Sequence, residues 1–165
     1  MPSHSITTAS ASATGAAYLI PPGTGELRWM GQTGTCFLAT GQQTSGGFCL
    51  VDERAAMGES VPLHRHEADM ESFYVLEGAL TIYLGDGPGL RAEAGAFAHV
   101  PAGAVHGFRV ESESARYLIL TTPHHGEFYR AITRPVQGES VGGAAIGQAC
   151  QDFGIEYIGP LPAVP

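Results

Sequence analysis

From Leu27 to Thr122 the apolar residues come in short runs, and glycine or proline clusters such as GQTG, SGG, GDGPG and PAG cut them every few residues. A chain interrupted this often builds short strands joined by tight turns, the pattern of an antiparallel sandwich or small barrel. The 23 glycines and 11 prolines show no collagen-like period, and 44% hydrophobic against 15% charged residues fits the same all-β class. The spacing predicts strands over Thr35–Thr40, Phe48–Arg54, Ser60–His64, Glu71–Glu77, Ala79–Leu84, Leu90–Glu93, Ala96–Val100, Val105–Glu111 and Ala115–Thr121. Helix signals are scarce before Pro123. After it, HHGEFYRAITR reads as a short helix with Phe128 and Ile132 on one side, and VGGAAIGQACQDFG as a weaker one ended by Gly154. IEYIGPLPAVP reads as a short strand and a proline-rich tail. At 165 residues the chain suits one domain. Residues 1–17, rich in Ser, Thr and Ala, are expected to be a flexible tail, and 18–165 a single domain with its barrel core at about 35–122.

Eight basic against sixteen acidic residues give a net charge of -8, which repels phosphate backbones and anionic lipid. No nucleic-acid or membrane partner is expected. Cys36, Cys49 and Cys150 are an odd number without CxxC spacing and read as reduced thiols. The first residues lack a basic start and a continuous apolar stretch, and no run approaches a membrane span, so a soluble, cytoplasmic protein is expected.

The chemistry gathers in PLHRHEADMESF, Pro62 to Phe73. On an extended segment His64 and His66 point to one face, and Glu71 opens the next strand after the HEADM turn, near enough to add an oxygen. Two nitrogens and an oxygen suit a divalent transition metal better than Mg or Ca. In GAFAHVPAGAVH, Pro101 and Gly103 make a turn and His106 opens a strand that can lie opposite the first pair and complete a three-His, one-Glu set. Such a set leaves positions open on a six-coordinate ion.

These residues resemble the two cupin motifs. Gly58, His64, His66, Glu71 and Gly78 fit G(X)5HXH(X)3,4E(X)6G; Gly95, Pro101, Gly103 and His106 fit G(X)5PXG(X)2H(X)3N, with Val110 where the pattern has Asn. The resemblance implies a double-stranded β-helix, or jelly-roll barrel, with a metal inside and short C-terminal helices. Within that superfamily HRHEADMESFYVLEG and TTPHHGEFYRAI are similar to the small single-domain quercetin 2,3-dioxygenases of bacteria. That likeness implies a flavonol or similar hydroxylated aromatic as substrate, O2 as co-substrate, and release of carbon monoxide on flavonol cleavage.

On this reading His64, His66, Glu71 and His106 hold one divalent transition metal per chain, whether Fe, Ni, Mn, Co or Zn, and Glu71 also takes the substrate proton. By strand parity Phe73, Val75, Phe108 and Val110 face the interior, where they form either ordinary barrel core or the wall of an apolar substrate pocket. The other histidines have plainer readings: His99 structural or on the surface, His4 in the tail, His124 and His125 flanking the late helix with a place at the barrel mouth as the alternative. Glu67 and Asp69 are expected to be solvated in the turn, with proton acceptance by Asp69 as the sharper alternative. The alternatives to a dioxygenase are a non-oxidative metal-dependent isomerase, cyclase or decarboxylase, and a binding protein without turnover. A homodimer joined through the arms, about Tyr18 to Met30 and Phe128 to Pro162, is expected because small barrels leave sheet edges to cover.

Overall fold

A half-apolar strand buries its inner face only against another sheet, and this chain pairs its strands into two facing layers. The structure is a computed structural model and describes residues 7–8 and 15–163. Of the expected tail, residues 1–6 and 9–14 lie outside the described residues. β1 (Thr7–Thr8) pairs in parallel with β2 (Tyr18–Leu19). The barrel follows as β3 (Glu26–Met30), β4 (Thr33–Ala39), β5 (Cys49–Ala56), β6 (Ser60–His66), β7 (Glu71–Glu77), β8 (Ala79–Leu84), β9 (Leu90–Glu93), β10 (Phe97–Val100), β11 (His106–Val110) and β12 (Ser114–Thr121). Helices α1 (Pro123–Ile132) and α2 (Gly143–Asp152) and strand β13 (Ile155–Gly159) complete the order.

One sheet runs β10-β7-β12-β5-β4-β3 and the other β13-β6-β11-β8-β9. Their inner faces meet in a core that includes Val51, Phe73, Val75, Leu80, Val110 and Ile119. Fully burying such side chains stabilises the fold by about 1.5–3 kcal/mol each before chain entropy is set against it. This is the jelly-roll barrel that the motifs imply, with every expected strand present to within about two residues at each end. The spacing does not predict β3: only ELRWM marks it, between two turns.

Both expected helices form. α1 begins where Thr122 caps it, accepting from the His125 backbone N–H at 3.1 Å, with Pro123 at its first position. Phe128 and Ile132 are buried on its inner side. The two arms fold onto their own barrel. Arg130 of α1 pairs with Glu26 of β3 at 2.7 Å, Trp29 and Arg134 exchange backbone hydrogen bonds at 2.7 Å, and β13 pairs with β6.

Two motif glycines show what the pattern encodes. Gly78, between β7 and β8, has φ of 75°, and a Cβ there would collide with the Ser114 carbonyl oxygen. Gly103 has φ of 80° in open space, and its N–H donates to the His66 carbonyl at 2.7 Å, fastening the turn after β10 to β6. Gly78→Ala therefore combines backbone strain with a steric clash and should cost about 2–5 kcal/mol, while Gly103→Ala meets strain alone, about 1–2 kcal/mol. Urea denaturation of the two variants checks the order.

Candidate metal centre

β6 and β11 are hydrogen-bonded neighbours, and their register sets His106 against His64. His106 thus comes from beside the first pair rather than from opposite it as expected. The member from across the barrel is Glu71, because the Glu67–Met70 turn carries the chain from one sheet to the other and β7 opens there. Glu71 is accordingly on a facing strand and not on a pairing neighbour of β6.

One ligand atom from each of His64, His66, Glu71 and His106 lies within 4.8 Å of all the others. Two backbone carbonyls fix the rings. His64 Nδ1 sits 2.8 Å from the Pro62 carbonyl and His106 Nδ1 sits 3.1 Å from that of Ala104. A carbonyl only accepts, so each Nδ1 carries its proton and each neutral ring turns an Nε2 lone pair inward. There His64 Nε2 is 3.0 Å from His66 Nε2, and His106 Nε2 is 3.1 Å from Glu71 Oε2. Protons satisfy such a cluster only pair by pair, whereas one cation at its centre satisfies all four atoms together. Three imidazole nitrogens and one carboxylate oxygen suit a divalent transition ion. Burial lowers the His64 pKa and takes that of His66 down to about 3, keeping both rings neutral and ready to ligate at neutral pH.

Glu71 has further partners. Its Oε1 accepts from the Tyr129 hydroxyl at 2.7 Å and from His125 Nε2 at 3.1 Å, leaving Oε2 toward the cluster. Burial by itself would raise the Glu71 carboxyl, but the imidazoles of His106 and His125 outweigh it and hold the group well below the ordinary carboxylate range. His125 is buried and stacks on His66 with ring centroids 4.2 Å apart. The barrel-mouth alternative for His125 is therefore the observed one. His124 stays exposed at the helix start and donates from Nδ1 to Asp69 Oδ2 at 2.8 Å. Asp69 is not solvated: it is buried, and its Oδ1 takes a short hydrogen bond from the Thr122 hydroxyl. Glu67 is exposed as expected, and His99 bonds Ser72 at 2.8 Å on the outer face. Tyr129 has no signal in the spacing beyond its place one residue after Phe128 on a short helix.

A cavity of about 300 Å³ opens onto this cluster, with His64, Glu71, His125 and Tyr129 in its wall. Of the expected pocket residues Phe108 lines it, packed against Tyr117 at 5.5 Å between ring centroids. Phe73, Val75 and Val110 lie in the barrel core and do not reach the wall, which matches the plainer of their two readings. α1 and α2 add apolar wall through Phe128, Ile132 and Ile146, and Met30, Val61 and Ile155 add more from the strands. None of the described helices is long and apolar enough to cross a membrane, and burial raises the Cys49 thiol to about 11, an inert core group.

Residues 52–121 match the cupin domain family. The quercetin 2,3-dioxygenase of Bacillus subtilis (strain 168) is 31% identical over 122 residues, which are 73% of this chain and 36% of the relative. The chain thus spans little more than a third of the length of that curated relative. A predicted oxalate decarboxylase from Thermotoga maritima superposes with a TM-score of 0.57 at 18% identity, over 63% of this chain and 97% of that one. The polyketide cyclase RemF from Streptomyces resistomycificus superposes with a TM-score of 0.51 at 23% identity, over 70% and 76%. At these identities the structural likeness speaks to the barrel alone. Barrel, motifs and domain match agree: residues 52–121 form a cupin domain.

Proposed function

We propose that this cupin is a metal-dependent dioxygenase of the quercetinase type, cleaving a flavonol or a similar hydroxylated aromatic with O2. The observation that carries the reading is the apolar cavity ending on His64 and Glu71, in a chain 31% identical to a quercetin 2,3-dioxygenase. A flat aromatic fits such a wall through dispersion and edge contacts with Phe108 and Phe128.

His64, His66, His106 and Glu71 would hold the ion, and a divalent transition metal bound there would supply a Lewis-acid centre for a substrate oxygen and access to O2. The chain's own work is to position and to move a proton. Phe108, Phe128 and Ile132 exclude water from the aromatic ring. Glu71 takes the substrate hydroxyl proton on Oε2 in passing, while Tyr129 and His125 keep Oε1 fixed so that the carboxylate does not rotate away. The homodimer belongs to the same proposal, and a sedimentation mass equal to one chain at micromolar concentration would count against it.

Metal analysis tests the ligand set. His66→Ala and His106→Ala should each reduce bound transition metal from about one ion per chain by at least roughly tenfold, and His99→Ala, on the outer face, should leave it unchanged. Oxygen uptake with quercetin by metal-replete protein tests the activity. Glu71→Gln, compared at equal metal content, should lose about 100-fold or more in rate as expected for loss of a general base. Full activity there would leave Glu71 as a ligand only. Absence of O2 uptake across a flavonol panel would assign the cavity to a non-oxidative cupin reaction or to binding.

A further inference from the structure

The cavity wall carries a second carboxyl group that the motifs do not include. Glu53, near the middle of β5, points inward, lines the cavity and is 6% exposed. The Thr35 hydroxyl from β4 donates to its Oε1 at 2.8 Å, and Tyr117 of β12, paired with it in register, lies beside it in the cavity wall. No arginine or lysine compensates it. The neighbouring Arg54 is exposed, and Arg116, pointing outward, is bound to Asp52 at 2.6 Å.

The titratable groups around Glu53 are Glu71 of β7, His125 and Tyr129 of α1, and Tyr117 of β12. Burial raises the Glu53 carboxyl to about 7, and the negative Glu71 adds to this, against the lowering effects of Thr35, Tyr117 and His125. An acid buried without a cation keeps its proton up to neutral pH. With Oε1 taken by the Thr35 hydroxyl, Oε2 is the oxygen that can carry the proton in the cavity wall.

We propose that Glu53 is a specificity-determining hydrogen-bond donor of this cavity, reading a carbonyl-type acceptor oxygen on a hydroxylated aromatic ligand whose other oxygens face the four-ligand cluster. The proposal rests on the reading of the cavity as an aromatic-substrate pocket. It adds a requirement: the ligand carries an acceptor oxygen on the side of the ring that meets β5. A merely structural Glu53 would tie β4, β5 and β12 together and leave ligand affinity indifferent to its protonation.

The test is quercetin binding to the metal-free protein, followed by fluorescence quenching at about pH 6 and about pH 8.5, on either side of the Glu53 value of about 7. Glu53→Gln keeps a neutral donor at both pH values, so the ligand's own ionisation cancels when the two proteins are compared. The Kd of the unmutated protein relative to Glu53→Gln should rise about tenfold from the lower to the higher pH, the worth of one hydrogen bond. A flat ratio overturns the proposal, and so does failure of quercetin to bind at either pH. Should Glu53→Gln not fold, infrared difference spectra of the unmutated protein decide: quercetin added at about pH 6 must shift a protonated carboxyl band, and an unshifted band overturns the proposal. Oxygen uptake by the metal-loaded protein reads the dioxygenase assignment separately. A pH-dependent ratio without O2 uptake removes the dioxygenase and keeps Glu53, and O2 uptake with a flat ratio does the reverse.

Discussion

The site depends on how the chain crosses from β6 to β7. His64 and His66 end a strand of one sheet and Glu71 begins a strand of the other, so the turn between them decides whether nitrogen and oxygen meet. Three of the ties that hold that turn come from the barrel and its first helix. Asp69 takes hydrogen bonds from Thr122 and His124, the Thr121 hydroxyl donates to the Met70 carbonyl at 2.6 Å, and Gly103 N–H donates to the His66 carbonyl at 2.7 Å. Each tie comes from a different part of the chain: the end of β12, the start of α1 and the turn after β10. A buried backbone carbonyl left without such partners would cost about 1–3 kcal/mol, so the polar turn is stable only while the rest of the barrel is folded around it.

Electrostatics sets a second condition. A carboxylate as buried as Glu71 stays ionised only where donors and positive potential offset its lost hydration. Tyr129 and His125 provide donors to Oε1 from α1, on the side of the group away from the cluster. Glu53 lacks comparable positive neighbours and its carboxyl rises to about 7. Two acids in one cavity are thus driven in opposite directions by their surroundings.

Much of this was legible in the sequence because strand parity and turn chemistry are local. The i, i+2 spacing of His64 and His66 and the turn glycine Gly78 act within a few residues, and each leaves a residue-type mark. The placement of His106 beside His64 depends on which strands pair, and no local rule contains that. Val110 and Phe108 illustrate the limit of parity, since both point inward and only Phe108 reaches the cavity. The contacts of His125 and Tyr129 with Glu71 were hidden for a related reason. The two side chains lie four residues apart on a short helix, and ordinary helical periodicity does not say which part of a barrel the helix covers. β3 offered five residues between turns, too short a run for alternation to stand out.

The order of the chain has a consequence for how the protein is made. His64, His66, Glu71 and His106 all precede α1, so they leave the ribosome before the helix that carries His125 and Tyr129. A nascent chain has its full ligand set while Glu71 Oε1 still lacks both of its helical partners and β6 still lacks β13 along its outer edge. Ion capture and maturation of the carboxylate are therefore separable in time, and the second is completed only when the C-terminal segment folds back across the barrel mouth.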